Sequence, residues 1–285
     1  MRRGVWILLL CLLPVVARAL NCSVCGREIH GQYLRAEGKI LCSAECWEKL
    51  LPRCSLCDAP LSGRYVKFET GGKEHLYCMK CAELPHCFSC DLPTRGVRLP
   101  DGRTLCPECA ATAVRDPAKA EELYRRVEQE VFRILGSSGC GRTRFGLCSL
   151  AELNPGHGVA DGKKFELGRC RYERRSRSDT GETVSEKCTV RILDSLPEAQ
   201  FIEVAAHEAA HDWLNHHTEH VPAQWNEGFA EYVASLVNGR HGNASRNLRM
   251  EENPDSVYGG GFRAVRDFAR RYGLPALLEK LRGEW

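Results

Sequence analysis

The sequence predicts an α+β protein in which three small cysteine-knuckle units precede a mainly helical domain with a small β-sheet. Three observations predict it. Twelve cysteines form six close pairs between Cys22 and Cys109; stretches 116–136, 197–214 and 222–237 carry apolar residues at helical spacing; and two segments between residues 165 and 196 alternate polar and apolar residues as strands do. A chain of 285 residues can hold one sizeable core and a smaller module.

At the N-terminus, Arg2 and Arg3 precede an apolar run from Val5 to Val16, followed by the small residues of Ala17-Arg18-Ala19. That pattern describes a secretory signal peptide over 1–19, cleaved near Ala19. The run is short for a bilayer span and no other segment is apolar enough, so the mature chain is expected to be exported, periplasmic or secreted, with no membrane span. Without 1–19, Lys+Arg falls from 40 to 37 against 37 Asp+Glu, a formal charge of zero. No global basicity then points to nucleic acid, and the local run "RCRYERRSR" (169–177) reads as a solvated strand.

The pairs are Cys22/Cys25, Cys42/Cys46, Cys54/Cys57, Cys78/Cys81, Cys87/Cys90 and Cys106/Cys109, five C-x2-C and one C-x3-C. Taken two at a time they leave 16, 20 and 15 residues between pairs, the range of zinc ribbons and LIM-type fingers. "GQYLRAEGKILCSAEC", "GRYVKFETGGKEHLYCMKC" and "RGVRLPDGRTLCPEC" repeat one plan: strand, glycine turn, strand, second knuckle. A C-x2-C turn aims two thiolates at one point and the hairpin brings two more opposite, giving about three structural zinc sites over 20–112. Such short loops bury little core, so the metal would supply the folding free energy. A disulfide framework is the competing reading for an exported chain. The repeat of knuckles favours zinc, since a C-x2-C pair rarely closes on itself.

Asp116 caps, Pro117 starts and Gly136 ends a helix with Leu123, Val127, Val131 and Ile134 on one face, a connecting element over 113–136. "FELGRCRYERR" and "KCTVRILDSL" read as two strands around the polar loop "SRSDTGETVSE". Cys170 and Cys188 fall near facing ends of this pair, either as a disulfide or as two thiols. Pro197 opens a helix running past Leu214, a second runs from about Pro222 to Val237, and the last stretch reads as two helices broken at Gly273-Leu274-Pro275.

Within these helices, "HEAAH" places His207 and His211 four apart on one face, with Glu208 beside them. Fifteen residues separate His211 from Glu227 in "WNEGFAEY", on a helix that can fold back antiparallel. Two histidines and a glutamate with water in the fourth position form a catalytic zinc arrangement, and Glu208 is placed to act as the base. Glu231, one turn beyond Glu227, reads either as a partner for a ligating histidine or as a solvated helix charge. His216, His217 and His220 read as an exposed helix end, while Trp213 and Tyr232 read as core.

"WNEGFAEY" after HEAAH resembles the gluzincin peptidases, whose third ligand is the glutamate of an N-E-G or N-E-A element. From about Cys54 to Leu281 the chain resembles the LIM-domain zinc peptidases of the plant "DA" organ-size regulators, which ubiquitin activates in plants. "CSLC", "CFSCDLP", "VRLPDGRTLCPEC", the "ELY" helix, "GLC" at Gly146 to Cys148, the Cys188 strand, HEAAHDW and "PDSVYGGGFRAVRDFARRYGL" carry the likeness. Plant members have ubiquitin-interacting helices and an intracellular address, neither of which this sequence is expected to share, so ubiquitin does not carry over as a partner. The first finger also has Cys42 where LIM fingers usually have histidine.

The resemblance implies a gluzincin-type metallopeptidase domain over 137–285, with His207, His211 and Glu227 as ligands of one catalytic zinc and Glu208 as general base. It also implies that Tyr258, Arg263 and the glycines at 259–261 lie near the cleft, Tyr258 being first choice to stabilise an oxyanion. The implied function is an exported zinc-dependent hydrolase of proteins or peptides, its LIM-like fingers free to bind a protein partner. The alternative is a non-catalytic zinc-finger interaction module on an inert peptidase-like domain.

Overall fold

In the computed structural model, which describes residues 20–141, 143–156, 165–179 and 183–283, one backbone knuckle recurs three times. The signal peptide expected over 1–19 lies outside the described residues. In each knuckle the first cysteine's N–H reaches five residues on, Cys22 to Arg27 O, Cys54 to Ala59 O and Cys87 to Leu92 O, all at 2.9 Å. Its carbonyl accepts in turn from Gly26, Asp58 and Asp91. Those three residues have φ of 73°, 56° and 61°, a left-handed turn that glycine and aspartate tolerate best. Bridges Asn21↔Glu28, Arg53↔Pro60 and His86↔Pro93 close the same ring each time.

A hairpin and a short helix complete each finger. These are β1 (Leu34–Ala36), β2 (Lys39–Leu41) and α1 (Ala44–Glu48); then β3 (Tyr65–Thr70), β4 (Lys73–Cys78) and α2 (Met79–Ala82); then β5 (Val97–Arg98), β6 (Thr104–Leu105) and α3 (Pro107–Ala111). Ser43 caps α1 and the Cys106 sulfur caps α3. The described chain divides into two compact units. One holds the residues up to Val66 with Leu76–Cys78, and the other holds Lys67–His75 and everything from Met79 onward.

In the larger unit the third finger leads through β7 (Ala113–Val114) into α4 (Pro117–Leu135). Asp116 accepts from the Lys119 N–H and Gly136 closes the helix in the left-handed conformation. The buried face of α4 is Ala120, Leu123, Tyr124, Val127, Val131 and Leu135; Ile134, expected on that face, is only half-buried. This helix therefore belongs to the core and is more than a connector.

The sheet has the order β8-β10-β9, formed by β8 (Arg144–Cys148), β9 (Gly168–Ser176) and β10 (Thr183–Leu193). Central β10 runs parallel to β8 and antiparallel to β9, and buries Cys188, Val190 and Ile192 at every second position. Between β8 and β9 lies the single turn α5 (Leu150–Leu153), closed by a capping box of Ser149 and Glu152. After β10 comes β11 (Leu196–Pro197), paired with β7.

Four longer helices close the core: α4, α6 (Glu198–His217), α7 (Ala223–Arg240) and α9 (Tyr258–Arg282), with the short α8 (Asn247–Glu252) before the last. On α6 the buried residues run all round, from Gln200 through Ala205 and Ala209 to Trp213, as expected of a helix packed on every side. No helix among the described residues is long and apolar enough to cross a membrane. In α9 the break expected at Gly273 is present, with φ 85° ahead of Pro275.

The glycines at 259–261 serve packing. A Cβ on Gly228 would lie 2.3 Å from the Gly261 carbonyl carbon, and one on Gly261 would lie 2.2 Å from Gln224 O. Here α7 and α9 touch backbone to backbone, a contact that only glycine permits. Gly228→Ala should therefore cost about 3 kcal/mol, the upper range for overpacking, because backbone and not a flexible side chain must yield. Urea unfolding of the variant beside the parent would measure it.

Candidate metal centre and cleft

The central helix α6 and its antiparallel neighbour α7 bring three donor atoms together. His207 Nε2 lies 3.0 Å from His211 Nε2; Glu227 Oε2 lies 3.3 Å from the first and 3.4 Å from the second. Zinc bonds to nitrogen or oxygen are about 2.0–2.1 Å, and a tetrahedron's edge is about 1.63 times its bond, giving about 3.3 Å between donors. The triangle fits that edge. Burial alone would raise the Glu227 carboxyl, but its contacts with His207 and His211 hold it far below the usual carboxylate range. Burial likewise opposes charge on His207, yet Glu227, Glu231 and Glu208 together push it up to about 9. The surroundings thus favour positive charge where the three donors meet, which is what a divalent ion supplies.

Glu231, one turn along α7, places Oε1 3.6 Å from His207 Nδ1, on the ring nitrogen opposite the donor. Close to Glu208, β9 begins: a Cβ on Gly168 would sit 2.6 Å from Glu208 Oε1, so glycine lets the strand reach the carboxylate. Glu208 is 4% exposed, and burial raises its pKa against the pull of both histidines and the Cys170 N–H. Asp212, fully buried behind it, accepts from Cys140 N at 3.0 Å and Thr143 Oγ1 at 2.6 Å and anchors the chain entering β8.

A cleft of about 700 Å³ opens on this centre, lined among others by Gly168, Gln200, His207, Glu208, Glu231 and Tyr258. Tyr258, the first residue of α9, is among the residues lining it. Burial and then the charges of Glu227, Glu166, Glu231 and Glu208 raise its pKa to about 12, so it remains a phenol able to donate. Arg263 does not line the cleft: its Nη1 donates to Glu251 O at 2.7 Å and Asn253 O at 3.0 Å, fixing the segment before Tyr258. His216 and His217 stand apart from the centre, on Glu186 at 3.3 Å and Ser138 O at 2.7 Å, and His220 is exposed. Trp213 is core as expected, and Tyr232 is half-buried.

One cleft group lay outside the sequence reading. Glu203, one turn before His207, takes Arg246 on both oxygens at 2.8 and 3.0 Å and Asn238 at 2.9 Å. Its sole sequence signal was an acid four residues ahead of a ligand.

The twelve finger cysteines form three groups of four, Cys22/Cys25/Cys42/Cys46, Cys54/Cys57/Cys78/Cys81 and Cys87/Cys90/Cys106/Cys109, whose sulfurs lie within 4.8 Å of one another. Sulfur separations of 3.6 Å for Cys25 to Cys42, 3.8 Å for Cys57 to Cys78 and 3.9 Å for Cys90 to Cys106 exceed a disulfide bond, about 2.05 Å. They match the edge of a tetrahedron with bonds of about 2.3 Å to zinc. Burial raises the Cys54 thiol, but backbone N–H groups of Cys57, Cys78 and Leu56 bring it down to about 6, as a thiolate ligand needs. Cys170 and Cys188 place sulfurs 3.4 Å apart diagonally across β9 and β10, both as thiols.

No family model and no solved structure matches the chain. Protein DA1 of Arabidopsis thaliana is 24% identical in an alignment of 365 residues that covers 91% of this chain and 66% of that protein. Protein DA1-related 7 from the same plant is 29% identical over 115 residues, covering 38% of this chain and 20% of its own length. The chain thus spans just under two thirds of the first relative and a fifth of the second. With three four-cysteine groups of zinc dimensions added to that likeness, the chain is similar to the plant DA proteins over most of its length and carries cysteine groups that fit LIM-like zinc fingers.

Proposed function

We propose that this chain is an exported, zinc-dependent hydrolase of proteins or peptides, with its centre at His207, His211 and Glu227. The observation that carries the proposal is a buried carboxylate, Glu208, bordering a cleft beside three donors at zinc spacing. When bound, zinc would supply Lewis acidity toward a scissile carbonyl and make water acidic enough to attack near neutral pH. Glu208 accepts the proton of the attacking water on a carboxylate oxygen and returns it to the leaving amine; its raised pKa suits a group that must hold the proton in between. Tyr258 donates its phenolic hydrogen toward the oxygen on which negative charge develops. Glu231 orients the His207 ring from behind. Export belongs to the same reading, and recovery of a chain beginning near Leu20 from the culture medium or periplasm would test it.

Metal content tests the centre. The full chain should carry about four zinc ions by elemental mass spectrometry, and His207→Ala about three, with cleavage of an unfolded protein substrate lost. Four ions in both proteins would overturn the assignment of His207 as a ligand. A zinc-loaded chain that cleaves nothing would leave an interaction protein.

A further inference from the structure

A second cleft, about 680 Å³, is lined by Tyr172, Arg174, Asn215, His220 and Asn226 among others. Three elements run from the first cleft to the second in the same order. On α6, His207 and Glu208 line the first, Asn215 lines the second, and His211 lies between. On α7, Glu231 lines the first and Asn226 the second, with Glu227 between. On β9, Gly168 lines the first and Tyr172 and Arg174 the second. The metal donors therefore sit between two cavities. At about 3.3 Å per residue, the strand from Gly168 to Arg174 covers about 20 Å, the length of roughly six extended residues.

The two ends differ in charge. Around the first cleft stand Glu166, Glu203, Glu208, Glu231 and Glu252 against Arg246 and Arg249, and Arg246 is occupied by Glu203. Around the second stand Arg174 and His220 against Glu219. An adjoining hollow of about 630 Å³ shares Arg174 and His220 and adds His216, His217 and Arg282. Arg174 gives its Nε to Thr183 Oγ1 at 3.1 Å, which fixes the guanidinium on the rim of both hollows.

We infer that the cleft around Arg174 is the other half of the substrate groove and binds a carboxylate of the peptide, a side chain or a chain end, on one side of the cleaved bond. This rests on the hydrolase reading and adds a substrate class to it: peptides acidic on one side of the bond. Arg174 is the specificity-determining residue, because its guanidinium is a permanently charged fork of donors that lines both hollows.

The test uses the full zinc-loaded chain and peptides carrying Glu, Gln or Lys at each of three positions either side of the bond, with free or amidated C-termini. At one position Glu should exceed Lys about tenfold in kcat/KM, and Arg174→Glu should reverse that order while zinc content and melting temperature hold. A preference that survives amidation identifies a side-chain carboxylate; one that amidation abolishes identifies a chain end. Equal use of Glu and Lys at every position, or a preference that Arg174→Glu leaves unaltered, overturns the inference while the hydrolase stands. Dissociation constants for the same peptides on Glu208→Gln, measured by fluorescence anisotropy, report the Glu over Lys preference without turnover. Absence of cleavage by the parent chain, with the binding preference intact, would count against the hydrolase reading alone.

Discussion

Glu208→Gln should retain all zinc and lose about a thousandfold in kcat, the middle of the range for a general base. Glutamine keeps the shape of the side chain and its contacts beneath Gly168 but cannot take a proton, so binding and fold should persist. Isothermal titration with an uncleaved peptide, beside kcat from a fluorogenic substrate, separates the two properties. Equal turnover in variant and parent would remove Glu208 from the mechanism. A fall in zinc content would show that the carboxylate serves the metal instead. A thousandfold loss corresponds to about 4 kcal/mol of transition-state stabilisation, more than a surface charge provides.

Cys87→Ser should release one zinc, unfold the third finger and depress hydrolysis with it. Structural zinc in such fingers supplies on the order of 10 kcal/mol of folding free energy, well above what the buried Leu105 and its few neighbours offer. The loss reaches the cleft through the knuckle itself. Ser89 Oγ hydrogen-bonds Gln200, Ser89 O accepts from Arg249 at 3.1 Å, and the Phe88 ring stands 5.7 Å from that of Phe165. Gln200, Arg249 and Phe165 all line the first cleft. Arg103 locks the contact: 1% exposed, it bonds Asp101 at 2.8 Å and Asp194 O at 2.9 Å. Calorimetry should show a lower main transition for the variant, and an active variant with three zinc ions would contradict this route.

Much of the fold was legible because its signals are local. A cysteine, two residues and a cysteine specify a knuckle whatever surrounds them, and His207 with His211 needs only a helix. Glu227 was within reach because a short loop returns α7 along α6. Long-range features were not legible. Ser89 and Gln200 lie 111 positions apart. Glu203 and Arg246 lie 43 apart, and no periodicity links them. The glycines before Phe262, which the resemblance sets near the cleft, prove to be the contact surface of two helices once α7 is set against them. Helix ends drifted for a like reason, α7 continuing to Arg240 because Val237 and Asn238 are buried by neighbours that the local sequence does not name.

The Ser89 and Arg103 contacts make the third finger and the cleft members of one equilibrium. Any ligand that binds only the folded finger stabilises the cleft by RT ln(1 + [L]/Kd), and by reciprocity a peptide held in the cleft tightens the finger's hold on its metal. If the cleft binds a peptide as proposed, free zinc concentration and substrate concentration would act as inputs to the same population of folded molecules, although the two ligands would bind at separate places on the chain.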